Sequence, residues 1–168
     1  MMFLWLLPII AIVGLDQLTK YLVAVSPKFP FEEPVTIIDG LLDFHYIHND
    51  GAALGILDDH RWVFMVTSTV AIVAVILFMF VKYKQYYHPF LYTALSFIAG
   101  GGIGNMIDRI ALGKVIDFID FQPLLPFWKW IFNVADMFVC VGCAMVILYI
   151  VVSDIKEAKK KKADGESE

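Results

Sequence analysis

Four apolar runs of membrane-spanning length fill most of this 168-residue chain, and they leave few options for how it can fold. They extend from about Met2 to Val25, Trp62 to Val81, Pro89 to Ile107 and Trp130 to Ser153. Each approaches the roughly 20 residues a helix needs to cross the hydrocarbon while satisfying its own backbone hydrogen bonds. With 60% hydrophobic residues and a mean hydropathy of +0.72, the chain carries more apolar surface than a small water-soluble domain can cover. The expected fold is an all-α integral membrane protein with four transmembrane helices. A single domain spans residues 1–168, without linkers, and ends in a basic tail over 154–168.

The net charge of −4 conceals an asymmetry. Glu32, Glu33, Asp39, Asp43, Asp50, Asp58 and Asp59 fall in one early stretch, whereas Lys156, Lys159, Lys160, Lys161 and Lys162 crowd the end. Placing both termini in the cytoplasm gathers Lys82, Lys84 and the tail lysines on one side, as the positive-inside rule requires. Lys28, Arg61, Arg109, Lys114 and Lys129 then fall outside. The first run lacks a basic leader segment, is interrupted by Asp16 and Lys20, and is followed by Pro27, so it reads as a retained helix rather than a cleaved signal. The stretch from Ser26 to Arg61 is too polar to span. Its PVTII and LLDFHYIH segments are rich in β-branched and aromatic residues and lead into the turn chemistry of Asn49, Asp50 and Gly51. They predict a small strand-rich element on the outer surface, between the first and second spans. The lysine tail reads as a solvated anchor near anionic headgroups.

Depth arithmetic places the polar residues of the spans at one level. At about 1.5 Å per helical residue, Asp136 lies roughly 30 Å from Lys156, and Asp108 a similar distance from Pro89. Asp16 and Lys20 fall roughly 21 to 27 Å up the first span. Asp117, in the loop after the third span, can reach the same level, which predicts a polar pocket opening outward and sideways to lipid. Charge at that depth implies a task. Two carboxylates close enough to share a proton would have one ionisation suppressed, leaving one acid and one base near neutral pH. Such a pair can activate water against a peptide carbonyl without a metal, a cofactor or a covalent nucleophile.

The sequence around these aspartates is far more specific than two isolated acids. The run GGGIGNMIDRIALGKVIDFIDF from Gly100 to Phe121, and FNVADMFVCVG from Phe132 to Gly142, strongly resemble lipoprotein signal peptidase, also called signal peptidase II. LDQLTK from Leu15 to Lys20 and HNDGAALG from His48 to Gly55 match that family as well, so the resemblance runs through all four spans in order. It implies an aspartyl peptidase of the bacterial cytoplasmic membrane, acting near the extracytoplasmic face. Its substrate would be a diacylglyceryl-modified prolipoprotein, cut on the N-terminal side of the lipidated cysteine. Carried over by position, Asp117 and Asp136 would form the catalytic dyad, and Asn105, Arg109 and Asn133 would hold the dyad and the substrate backbone. Asp16, Lys20 and Asn49 would shape the pocket and its covering. One departure is Leu54 after Ala52 and Ala53, where the family commonly has Phe; it touches loop packing or lipid contact. The expected state is a monomer with membrane lipid and the prolipoprotein as its partners and no nucleic acid.

Each residue also has a plainer reading. Asp136 could be a carboxylate favoured by a helix N-terminus, with Asn133 a nearby cap. Asp117 and Asp120 could be solvated loop acids, Asp108 and Arg109 an interfacial pair, and Lys20 a partner for Asp16 four residues earlier. Gly101, within the cluster Gly100, Gly101, Gly102 and Gly104, offers either close helix packing or room for a substrate helix; the cluster lacks the Lys and Ser or Thr of a phosphate loop. Cys140 and Cys143 read as packing residues, His45 and His48 as too few ligands for a metal, and Trp128 and Trp130 as an interfacial belt. Two other functions compete with the peptidase. An ion- or proton-coupled transporter would also carry intramembrane carboxylates, but the charges gather at one level and no inverted repeat is evident. A non-catalytic membrane scaffold would use them to bind helices together.

Overall fold

The computed structural model describes residues 4–49, 61–122 and 130–165. Asp50 to Gly55 of the HNDGAALG block, with Leu54, and Asp58, Asp59, Trp128 and Lys129 lie outside the described residues. The first helix, α1, covers Leu6–Val25 and stops at the extended Ser26, because the ring of Pro27 disfavours helical geometry at the residue before it. Strands β1 (Pro34–Ile38) and β2 (Leu42–Asn49) form a hairpin whose turn uses Gly40 at φ +67. Helix α2 covers Arg61–Val81, and a single turn, α3, covers Tyr83–Tyr86. Helix α4 runs from Pro89, at a position where the missing N–H costs nothing, to Leu112, where Gly113 at φ 75 closes it by donating its N–H to the Arg109 carbonyl. Strands β3 (Val115–Phe121) and β4 (Ile131–Phe132) follow, then α5 (Val134–Gly165).

All four apolar runs are helical, with shifted ends. Among the described residues, Leu6–Val25, Pro89–Leu112 and Val134–Ala163 are long and apolar enough to cross a membrane, and Met65–Val81 is a shorter apolar helix. The last run starts at Val134 rather than Trp130, because Ile131 and Phe132 pair with Asp120 and Ile119 of β3 and Asn133 caps the helix. The basic tail is exposed and helical: α5 continues through it, with Glu157 and Lys161 paired at 2.7 Å one turn apart.

The strand-rich element is wider than its expected place between the first two spans. One antiparallel sheet runs β1-β2-β3-β4, so half of its strands come from the connection between α4 and α5. The segment expected as a loop is VIDFIDF, whose alternating residues suit a pleated strand. From Val115 to Ile119 it is buried on both faces. Ile116 and Phe118 pack with Val23 of α1, while Asp117 points the other way.

Helix α4 lies at the centre, against α1, α2 and α5. Its Tyr92 hydroxyl donates to the Met79 carbonyl of α2, and its Ser96 hydroxyl donates to the Trp5 carbonyl preceding α1. Trp5, Ile9, Met79, Leu91, Tyr92, Leu95 and Ala99 make the apolar cluster there. Successive glycines of α4 meet different neighbours: a β-carbon on Gly100 would press on Ile12, on Gly101 against the Ala135 carbonyl, and on Gly102 against Ile72. These close approaches satisfy the packing reading of the cluster. The outward faces of α1, α2 and α5 carry Leu7, Ile10, Leu18, Val66, Val70, Leu77, Val141, Ile147 and Leu148, an apolar belt too extensive for a water-exposed surface. Cys140 and Cys143 are free thiols on exposed positions of α5 rather than packing residues within the bundle.

Candidate active site

The start of α5 shows how the site is assembled. Asn133 is the N-cap: its Oδ1 accepts the Asp136 N–H at 2.9 Å, and Asp136 Oδ2 accepts the Asn133 N–H at 3.2 Å. This reciprocal arrangement satisfies two otherwise orphaned donors and fixes the Asp136 side chain in the first turn, where the helix dipole favours negative charge. The other end of the Asn133 amide is equally committed. Its Nδ2 donates to Asp117 Oδ1 at 2.7 Å and to Asn105 Oδ1 at 2.8 Å. One completely buried asparagine therefore touches both aspartates, one from the sheet and one from the helix.

The remaining oxygens of the pair are held by two more amides. Asn105 of α4 donates to Asp136 Oδ1 at 2.7 Å, and Asn49 at the end of β2 donates to Asp117 Oδ2 at 2.7 Å. The sheet register explains Asn49: Ile47 stands opposite Asp117, and Asn49, two residues further on, shares that face. An irregularity in β2 between Phe44 and Ile47 sets this alignment, which is where bulges commonly re-aim a side chain. Asp117 is buried, and its carboxyl is pushed up from 3.8 to about 7, first by burial and then by the charge on Asp136. The amides of Asn49 and Asn133 and the charge of Lys20 act in the opposite direction.

Beneath the pair lies a second polar cluster. Lys20 Nζ sits 2.8 Å from Asp16 Oδ2 and 2.9 Å from Asp108 Oδ2, and it donates to Asn105 Oδ1 at 2.9 Å. Gln17 donates to Asp108 Oδ1 at 2.9 Å and to the Gly104 carbonyl at 3.1 Å. Asp16 Oδ1 accepts the Ala135 N–H at 2.9 Å, tying α1 to the first turn of α5, and Asp108 Oδ2 accepts the Ile116 N–H at 3.1 Å, tying α4 to β3. Asp16, Lys20 and Asp108 are almost wholly buried.

The structure thus gathers Asp16, Lys20, Asn49, Asn105, Asp117, Asn133 and Asp136 into one connected network. Arg109 sits beside it, half-buried, with Nη1 donating to the Asn105 carbonyl at 3.3 Å; Asp108 pairs with Lys20 instead of with Arg109. Gly101 faces Ala135, one residue before Asp136, so its missing β-carbon makes room for α5. Asp120 is not a solvated loop acid: it lies on β3, 3.8 Å from His45, and burial raises its carboxyl while His45 opposes the shift. His48 contacts the Tyr46 hydroxyl and the Phe31 ring, and Trp130 is exposed beside β4. Gln17 had no role in the sequence reading. Its signal was a polar side chain inside an apolar run, three residues before Lys20.

A helical membrane protein with two amide-bridged carboxylates held where a small sheet meets the bundle belongs to the class of membrane enzymes. The chain matches the family model described as signal peptidase (SPase) II over residues 8–152, and it belongs to that family. It is 38% identical to a lipoprotein signal peptidase of Symbiobacterium thermophilum, covering 89% of this chain and 95% of that protein. It is 33% identical to the lipoprotein signal peptidase of Clostridioides difficile, covering 91% and 98%. Its fold is similar to that of a bacterial membrane enzyme solved by the in meso method at 2.3 Å: the TM-score is 0.78 with 29% identity, over 89% of this chain and 88% of that one.

Proposed function

We propose that this protein is an intramembrane aspartyl endopeptidase that removes the signal peptide from diacylglyceryl-modified prolipoproteins, cutting on the N-terminal side of the lipidated cysteine. The observation that carries the reading is Asn133, whose single side chain holds Asp117 and fixes Asp136 at the same time. Two carboxylates constrained in this way, one pushed up to about 7, form an acid and a base near neutral pH. Asp136, the more exposed of the two, takes a proton from water as the water oxygen attacks the scissile carbonyl carbon. Asp117 gives its proton to the carbonyl oxygen. The tetrahedral intermediate collapses as one of its hydroxyls returns a proton to Asp117, the C–N bond breaks, and the proton held on Asp136 passes to the leaving amine.

The surrounding residues divide the remaining work. Asn105, Asn49 and Asn133 hold the dyad through uncharged donors, Asp16 and Lys20 fix the helices beneath it, and Arg109 is placed for the substrate backbone. Gly101 lets α5 approach closely enough to set Asp136 in place. The chain forms a single domain and acts as a monomer in the bacterial cytoplasmic membrane. It crosses four times with α2 as the second span and has both termini cytoplasmic and the dyad near the extracytoplasmic face.

The test uses purified protein in detergent with a lipidated prolipoprotein, the products being read by mass spectrometry. The expected result is a single cut before the modified cysteine, lost in Asp117→Asn and in Asp136→Asn. Cleavage of the unmodified precursor at the same rate would remove the lipid from the recognition step. Full activity in either variant would remove that aspartate from the chemistry.

A further inference from the structure

At the end of the bundle remote from the carboxylates, the start of α4 and the end of α5 frame a groove of about 430 Å³. Its apolar floor is Phe90, Leu148 and Val152, and its polar rim is His88, Ser153 and Lys156. Tyr149 also lines it, with its ring 5.1 Å from that of His88. On α5 the spacing of Tyr149, Val152, Ser153 and Lys156 puts all of them on one face, and Lys160 continues that face one turn further. Lys156 is twenty residues beyond Asp136 on the same helix, a rise of about 30 Å, so the two stand at opposite edges of the hydrocarbon. Among the described residues Lys156 makes no ion pair: Glu157 is taken by Lys161 at 2.7 Å, and Asp154 projects from the other side of the helix.

We propose that this groove binds an anionic phospholipid from the leaflet opposite the dyad. The lipid phosphate is held between the Lys156 ammonium and the Ser153 hydroxyl, and the first acyl methylenes lie on Phe90, Leu148 and Val152. A basic pocket between transmembrane helices at headgroup depth is the arrangement such lipids recognise. The charge complementarity is local. Lys159 to Lys162 attract any anionic surface diffusely, whereas the groove adds a hydroxyl and an apolar wall beside one particular lysine. A lipid seated there bridges the start of α4 and the end of α5, far from the bonds that change. The inference rests on the bilayer-spanning reading of α4 and α5 and not on peptidase chemistry.

The test is native mass spectrometry of the full-length protein in detergent, titrated with phosphatidylglycerol, with phosphatidylcholine of the same chains, or with inorganic phosphate. Phosphatidylglycerol is expected to bind in preference to phosphatidylcholine and to resist millimolar phosphate. Lys156→Gln should weaken it about fivefold, the effect of removing one lysine beside the headgroups. Ser153→Ala should weaken it in the same sense by less. Lys161→Gln, which changes the net charge equally but removes the salt-bridged lysine, should leave it unchanged. Equal losses in Lys156→Gln and Lys161→Gln would reduce the effect to diffuse attraction by the tail and overturn the site. So would equal binding of phosphatidylcholine, displacement by phosphate alone, or full affinity in both Lys156→Gln and Ser153→Ala. Equal unfolding temperatures in detergent without added lipid establish that the variants are folded, and cleavage is not the readout, so failure here leaves the proposed activity untouched.

Discussion

Asp16 and Asp108 differ from Asp117 and Asp136 in what faces each carboxylate, although all four meet in one network. In the lower cluster a lysine stands between the two acids, and Gln17 and the backbone N–H groups of Ala135 and Ile116 complete the set. In the upper pair the donors are neutral: the amides of Asn49, Asn105 and Asn133 and the Asn133 backbone. The lower acids are committed to a shared cation and to backbone donors of neighbouring elements, whereas Asp117, held by amides beside a second carboxylate and pushed up to about 7, keeps its affinity for a proton. Asn105 separates the two regimes, accepting from Lys20 on one side and donating to Asp136 on the other. The lower cluster joins α1, α4, α5 and β3; the upper pair is left free to exchange a proton.

The largest effect should come from the upper pair and should appear in turnover alone. Replacing Asp117 or Asp136 by Asn keeps the shape and removes the acid or the base, which should lower the cleavage rate by about a thousandfold or more. The unfolding temperature in detergent should hold or rise, since a buried like-charge interaction is lost. A large drop in stability with modest loss of activity would place the pair with the structural cluster and erase the distinction.

The lower cluster should behave in the opposite way. Lys20→Met leaves Asp16 and Asp108 buried without their cation, at a cost of about 3–5 kcal/mol. Adding Asp108→Asn should recover part of that loss, because one uncompensated charge goes with it. Chemical denaturation of the single and double variants in one detergent measures both steps; a Lys20→Met protein as stable as wild type would mean the cluster is not what joins the helices.

A smaller contrast separates two glycines. A β-carbon on Gly104 would meet Asp16 Oδ2 at 2.6 Å, so Gly104→Ala must displace the carboxylate and should cost about 1–3 kcal/mol. Gly14, in α1, has nothing within 4 Å, and Gly14→Ala should be neutral or stabilise the helix by up to about 1 kcal/mol. Comparable thermal shifts for the two would show that Asp16 is not tightly held.

Much of this was legible in the chain because its physics is local. Apolar length set the helices, and the four-residue spacing of Asp16 and Lys20 gave their pairing before any tertiary contact was known. Charges at one depth along their helices anticipated that Asp16, Lys20, Asp108 and Asp136 would meet. What escaped was long-range. VIDFIDF carries the alternation of a strand, but two aspartates in an inter-helical connection look like solvated loop residues until β2 pairs with it and brings a side-chain donor from 68 positions away, Asn49, onto Asp117. Nor could the sequence say whether Arg109 or Lys20 would claim Asp108, since both choices satisfy the charge and only the approach of α1 to α4 decides between them.

The finest test of the difference between the clusters is pH. Asp117 rises from 3.8 to about 7 on folding, so between those values the folded protein keeps a proton that the unfolded chain has released. Its contribution to stability is therefore greatest at acid pH, declines as pH rises from about 4 to about 7, and is flat above. Asp117→Asn should remove that decline, visible as a shallower fall of unfolding temperature across the window. Cleavage depends on the same proton and should fall about tenfold per pH unit above an apparent value near 7, which belongs to the coupled pair. Asn49 donates to Asp117 and holds its carboxyl down, so Asn49→Ala should move this limb to higher pH. A rate profile whose alkaline limb stays in place, or moves downward, would mean that the proton lost there is not on Asp117.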